Sequence, residues 1–362
     1  MQIVKDRRAL HAIPELDRRL PETMEYLEKQ LSGLGCRVFS PAEGSLCAFF
    51  DFGKAQTIAF RADADALPIT EATGLPFASC HPGRMHACGH DGHMAILLEL
   101  ARRLAQKRTL PGNVLLVFQC AEETTGGAKD ICESGIFDQY HTAAIFGLHI
   151  WPGLEAGTVA SRSGPLMSRS GQLRVEITGR SAHIAKTGEG IDALAAATRF
   201  YTEAAALERS IPAHIPRLLK FGKLESGTVC NALAGSALLE GSLRAFYDDI
   251  FFRLRDGLLQ IGKQLEQDTG CTVRIHLSEG YPAVNNPETL CRRVLELIPD
   301  CREATPSMTT EDFSYYQQIL PGMFFFLGAG DAPPLHSADF NFDETILLKG
   351  AALFETLAEK FL

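Results

Sequence analysis

A chain of 362 residues, with 46% apolar and 22% charged residues, is long enough for two compact domains with proper cores. Its formal charge of −9 and the lack of a basic run argue against nucleic acid as a partner. No apolar run reaches the roughly 18 to 20 residues of a membrane span, and the opening MQIVKDRRALHAIPEL has no long apolar signal core, so a cytoplasmic protein with no membrane partner is expected.

In chain order, Arg7, Arg8, Arg18 and Arg19 cluster near the start among acids and Pro14, which predicts a solvated helical face. Ten cysteines stand singly, with no CxxC pair, and are expected to be reduced and mostly buried. From residue 57, short apolar runs alternate with helical stretches, as in a wound α/β domain. TIAFRAD (57–63), VLLVFQ (114–119) and AAIFGLHI (143–150) read as buried strands, and GHMAILLELARRLAQK (92–107) has apolar residues at helical spacing. The stretch 171–279 then reads strand, helix, strand, strand, helix, strand, the order of a ferredoxin-like split βαβ unit. The chain returns to the main sheet at PGMFFFLGAG (321–330). The expected fold class is α/β: a wound mixed-sheet domain at 1–170 and 280–362, interrupted by a βαββαβ domain at 171–279.

Each polar cluster falls just after a predicted strand, where open parallel sheets place their ligands. Cys88 and His90 in MHACGHDGH, Glu122 and Glu123 in QCAEE, His149 in GLHI and His336 in PPLHSADF are thiolate, imidazole and carboxylate donors of the kind that hold divalent metals. Taken singly, each has an ordinary structural explanation. A donor at every strand end is a different matter. Two adjacent carboxylates at the end of a buried strand repel unless a cation or proton intervenes, and neighbouring side chains on an extended backbone point in different directions. One can therefore bind metal while the other faces a reacting water; the alternative is an acidic loop leading into a helix.

RADADALPI (61–69), MHACGHDGH (85–93), QCAEE (119–123), GLHIWP (147–152), TEDFSYY (310–316) and LHSADF (335–340) resemble the ordered motif set of the dinuclear metallo-amidohydrolases. HAIPEL (11–16) is similar to the N-terminal motif of the same family. The branch resembled is that of hippurate hydrolases, N-acyl-amino-acid amidohydrolases, N-acetyldiaminopimelate deacetylases and indole-acetyl-amino-acid hydrolases, within the aminoacylase and carboxypeptidase superfamily. The resemblance implies a metallohydrolase domain with two divalent ions, zinc or manganese, with cobalt or nickel as alternatives, held by Cys88, His90, Glu123, His149 and His336. It implies a bridging position for Cys88, a general-base role for Glu122, and an orienting role behind the ligands for Asp65. For His86 and His93, capping and packing at the helix start are expected.

The resemblance further implies that the inserted domain is a lid and dimerisation domain. From it His183 would reach the partner subunit's site in a homodimer to stabilise the oxyanion, while Asn231 and Arg244 would hold the substrate carboxylate. An ordinary surface salt bridge is the alternative for Arg244. The chain departs from the family in reading SAHIAKTGEG where Gly-Gly-His-Ala-Ala and Pro-His are usual, with Cys120 in place of Pro and Met94 in place of Thr. These changes spare the ligands and make Lys186 a candidate specificity element. The expected substrate is a small N-acyl amino acid, acetyl or aryl-acyl. A dipeptide exopeptidase and a non-catalytic metal-stabilised binding protein are the competing readings; loss of the base would mark the latter, and Glu122 is present.

Overall fold

The computed structural model describes residues 1–362. The chain divides into two compact units, Met1–Leu166 with Asn285–Thr305 and Asp312–Leu362, and Met167–Val284 with Pro306–Glu311. Residues 306–311 cluster with the second unit because their carbonyl groups take its hydrogen bonds: Ser168 donates to Met308 O at 2.8 Å, and Arg244 Nη1 donates to the same oxygen at 2.6 Å.

The first unit begins with α1 (Gln2–His11), α2 (Pro21–Leu31), β1 (Arg37–Phe39), β2 (Leu46–Phe50), β3 (Thr57–Asp63), α3 (His90–Leu104) and β4 (Asn113–Gln119). It continues through α4 (Gly127–Glu133), α5 (Ile136–Gln139), β5 (Thr142–Trp151) and β6 (Val159–Ser161) to β7 (Gly164–Met167). The second unit supplies β8 (Arg169–Thr178), α6 (Ala193–Arg209), β9 (Arg217–Ser226), β10 (Ser236–Ala245), α7 (Asp248–Thr269) and β11 (Thr272–Leu277). The chain closes with β12 (Val284–Asn286), α8 (Glu288–Leu297), β13 (Arg302–Glu303), β14 (Gly322–Gly328) and α9 (Leu347–Lys360).

An eight-stranded mixed sheet of order β1-β2-β4-β3-β5-β14-β6-β13 organises the first unit. In its centre β3 runs parallel to both β4 and β5, and β14 runs parallel to β5. Every residue of β3 and β4 is buried, which is why both read as near-continuous apolar runs. The antiparallel β1–β2 edge was not legible: β1 has only three residues, too short for a hydrophobic period to register. Helix α3 packs between α1 and α9 and buries residues on nearly all sides.

The expectation of a solvated arginine face is corrected at Arg7. Arg7 is fully buried, its guanidinium 2.8 Å from Asp91 through Nε and 3.3 Å from Glu344 through Nη1, with the Phe77 and Phe342 rings 5.0 and 4.6 Å away. His11, also fully buried, meets the same Asp91 oxygen at 2.8 Å. These contacts pin α1 to the first turn of α3. Arg8 and Arg19 are exposed and Arg18 is half-buried; the last two lie between α1 and α2, and Arg18 pairs with Asp130. All ten cysteines are free, but only Cys47, Cys88, Cys120, Cys271 and Cys291 are buried, while Cys80 and Cys230 are exposed.

In the second unit the antiparallel sheet has the order β11-β8-β10-β9. Alternation along β8 turns Leu173, Val175 and Ile177 towards α6 and α7, where they pack with Phe200, Leu254 and Leu258. The opposite face is polar and carries ion pairs from Arg174 to Glu176 and Glu240, at 3.0 and 2.6 Å. No helix in the chain is long and apolar enough to cross a membrane.

Candidate metal centre

The three adjacent parallel strands β4, β3 and β5 deliver their carboxyl ends to one place. Past the end of β3, Asp65 is fully buried and binds the acidic pair at the end of β4: its Oδ1 accepts the Glu122 N–H at 3.0 Å and its Oδ2 the Glu123 N–H at 3.1 Å. The chain turns sharply between β4 and these glutamates at Ala121, whose φ of 57° is left-handed, an uncommon conformation for a side chain with a Cβ. Such costs are met where the surrounding structure over-determines the backbone. The turn aims both carboxylates at the mouth of the sheet instead of continuing the strand.

The histidines are fixed in one tautomer each by what their Nδ1 atoms touch. His90 Nδ1 lies 2.7 Å from the Asp65 carbonyl, and His149 Nδ1 lies 2.7 Å from the Ile150 carbonyl. A carbonyl only accepts, so both Nδ1 atoms carry the proton and both Nε2 atoms present a lone pair. His149 Nε2 faces Cys88 Sγ at 3.4 Å. His90 Nε2 is buried without a hydrogen-bond partner, and so is Glu123 Oε1, which stands 3.3 Å from His336 Nε2 and 3.8 Å from His90 Nε2. His336 is half-exposed, adopts a left-handed φ of 63°, and is tied to the Cys88 loop by its N–H, which donates to Ala87 O at 2.8 Å.

The ligand atoms of Cys88, His90 and His149 all lie within 4.8 Å of one another, and so do those of Cys88, Glu123 and His336. Cys88 belongs to both groups. Orphaned lone pairs on buried His90 and Glu123, beside a thiol and two further imidazoles, fit a divalent metal of borderline softness. The electrostatics agree. Burial disfavours the His90 cation, yet the Asp63, Asp65 and Glu123 carboxylates raise its pKa to about 10, so this spot strongly favours a positive charge at Nε2, which a metal ion would supply in place of a second ring proton. Burial, reinforced by Glu123 and Glu122, holds the Cys88 thiol well above its usual range, while burial and His93 lower His149 to about 3 and keep it neutral.

Two buried side chains beside these groups were missed. Arg61 donates to Gln119 Oε1 at 2.8 Å, Asp63 Oδ2 at 2.9 Å and Asp312 Oδ1 at 2.6 Å, so one guanidinium ties together the RADAD, QCAEE and TEDFSYY segments. Asp63 in turn meets His93 Nδ1 at 2.5 Å. The signal was present in period 2: residues 61, 63 and 65 alternate with alanines, which places Arg61, Asp63 and Asp65 on one side of the strand and its extension. The expected capping role of His86 and His93 is corrected. The residue preceding α3 is Gly89, no side chain caps its N-terminus, and His93 instead bridges Asp63 and the Ile150 N–H. His86 is buried with neither ring nitrogen hydrogen-bonded, and burial lowers its pKa to about 3.

His183, Asn231 and Arg244 belong to the second unit. His183 is exposed, five residues past β8; its Nδ1 accepts the Ala185 N–H at 3.2 Å, and the neighbouring Ile184 N–H donates to Asn231 O at 3.0 Å. Arg244 sits on β10 with its Nη1 on the Met308 carbonyl and no carboxylate in ion-pair range, so the surface salt bridge considered for it is not formed. Lys186 is exposed and pairs with Glu189 at 3.5 Å.

The sequence pattern of peptidase family M20/M25/M40 matches residues 59–360. Over 360 residues the chain is 36% identical to the N-acetyldiaminopimelate deacetylase of Lacticaseibacillus paracasei, covering 95% of this chain and 94% of that protein. It is 32% identical over 370 residues to the N-acetyl-L-cysteine deacetylase of Bacillus subtilis, covering 100% of this chain and 88% of that one. The crystal structure of the Bacillus subtilis YXEP protein, described as a dinuclear metal binding peptidase from the M20 family, superposes with a TM-score of 0.86 at 30% identity, covering 99% of this chain and 96% of that chain. With the matched pattern spanning both the strand ends that carry the candidate ligands and the second unit, the chain belongs to peptidase family M20/M25/M40 and is a hydrolase of that family.

Proposed function

We propose that this hydrolase cleaves the amide of small N-acyl amino acids to a carboxylate and a free amino acid, at two divalent ions held by Cys88, His90, Glu123, His149 and His336. The observation that carries the reading is the pair of three-residue ligand groups that share Cys88. Relatives named for the deacetylation of N-acetyldiaminopimelate and N-acetyl-L-cysteine support the substrate class. Thiolate and imidazole donors suit zinc, and manganese, cobalt and nickel accept the same set. The cytoplasm, a reducing compartment, suits a chain whose ten cysteines are all free.

When bound, the ions lower the pKa of a water and polarise the amide carbonyl. The rest falls to side chains. Glu122, nine-tenths buried beside Glu123, accepts the water's proton and returns it to the leaving nitrogen. Asp65 orients three groups at once, through two backbone N–H groups and the His90 imidazole. Arg244, free of any acid, offers its guanidinium to the substrate carboxylate together with Asn231, and His183 stabilises the oxyanion. The second unit acts as lid and dimerisation domain. Its sheet ends on β9, an outer strand with unpaired backbone groups, and Tyr201, Leu224 and Val229 are exposed on the same unit, which supports pairing with a second copy.

Sharing of Cys88 has a distinctive consequence. Cys88→Ala is expected to weaken the binding of both ions, whereas His336→Ala or His149→Ala weakens only one. Metal content per chain after equilibrium dialysis against graded free metal checks this. Two ions bound to Cys88→Ala with unchanged affinity would remove Cys88 from the ligand set.

A further inference from the structure

His93 is a fully buried imidazole that the reaction as described does not use. It lies one helical turn after His90 on α3, so both rings project from the same face. Its ligand atom falls within 4.8 Å of those of Asp63 and His90, which would also suit a metal ligand. The hydrogen bonds decide otherwise. The Ile150 N–H can only donate, and it meets His93 Nε2 at 2.9 Å, so that nitrogen is bare and its lone pair is occupied. The ring proton therefore sits on Nδ1 and is donated to Asp63 Oδ1 at 2.5 Å. Asp63 is fixed on its other oxygen by Arg61 at 2.9 Å. Neither His93 nitrogen is left for an ion.

The group that His93 holds is the peptide joining His149 to Ile150. The carbonyl of Ile150 accepts His149 Nδ1–H at 2.7 Å, and the His93 ring stands edge-on to the His149 ring, with centroids 4.7 Å apart and planes at 70°. Residues 149 and 150 are thus gripped at the peptide N–H, at the imidazole Nδ1 and on the imidazole face. The helix comes close enough because residue 92 is glycine: a Cβ there would stand 2.6 Å from Ile150 Cδ1 and 2.8 Å from Phe342 Cζ.

We infer that His93 is a positioning residue, a neutral imidazole that clamps the Ile150 peptide between α3 and β5 and so aims His149 Nε2 at the metal position next to Cys88. The inference rests on the assignment of His149 as a ligand. Losing an outer partner of a metal-bound histidine typically costs about 10- to 100-fold in metal affinity. Gln can replace both hydrogen bonds of His93, donating from its amide nitrogen and accepting on its oxygen, whereas Phe keeps the ring shape and makes neither.

The test titrates the metal-free, full-length protein with Co2+ in competition with a chelator, following cobalt absorption. His149→Ala should lose one of two binding events. His93→Phe should keep both, with one weakened about 10- to 100-fold, and His93→Gln should recover most of that loss. Folded His93→Phe with wild-type affinity at both positions overturns the inference while leaving the ligand assignment standing. His149→Ala with both positions intact overturns the ligand assignment and the inference together. If His93→Phe fails to fold, 15N spectra of histidine-labelled wild-type protein decide: a proton on Nδ1 and a bare Nε2 at His93 support the clamp, and a protonated Nε2 overturns it.

Discussion

Replacing Glu122 with Gln is expected to leave both ions bound and to lower turnover by about 10² to 10⁴, the usual worth of a positioned general base. The amide is nearly isosteric with the carboxylate but cannot take the proton from water. The backbone should not respond, because Asp65 holds residue 122 through its main-chain N–H, 3.0 Å away, and the left-handed turn at Ala121 precedes it. Metal content and amine release are measured on the same preparation. A loss of metal in step with the loss of rate would mean that Glu122 binds the ion and that Glu123 is the base.

His183→Ala is expected to reduce the catalytic rate by about 10² to 10³ with metal content unchanged, as for the removal of one oxyanion donor. His183 is exposed and its single hydrogen bond is local, from the Ala185 N–H, so little stability depends on the side chain. If the second unit lends His183 to a partner subunit, mixing His183→Ala chains with Glu122→Gln chains under exchange restores activity. One site of each mixed dimer then contains both intact residues and the other contains neither. A site completed within one chain always lacks one of the two, and mixing restores nothing. Demonstrated exchange without recovery would place His183 in its own chain's site or in no site.

The parts of the fold that were legible in the sequence are those whose cause is local. Strands β3, β4 and β5 were readable within one residue at each end, because parallel strands buried on both faces are continuous apolar runs bounded by polar clusters. The alternation in β8 and the long helices α6 and α7 were readable for the same kind of reason. The illegible parts depend on partners distant in the chain. Arg7 looked like one of four surface arginines; Asp91, 84 positions on, turns it into a buried strut between α1 and α3. His93 looked like a helix-start residue until β5 brought the Ile150 N–H, 57 positions away, to its ring. Arg61 and Asp312 are 251 positions apart, and no spacing rule connects them. The candidate ligands were readable as donor types at strand ends, whereas their assembly into two groups sharing Cys88 required the fold.

The most direct test of the account is amine release by the full-length protein, stripped with a chelator and then reconstituted with Zn2+ or Mn2+, across N-acetyl amino acids, N-benzoyl amino acids and dipeptides. Metal-dependent hydrolysis of amides makes one prediction for the stripped protein, and the N-acyl amino acid assignment makes another for the panel. The stripped protein should be inactive, and restoring metal should release free amino acid from N-acyl amino acids in preference to dipeptides. Release that persists without metal, or no release from any N-acyl amino acid after two ions per chain are bound, would contradict it.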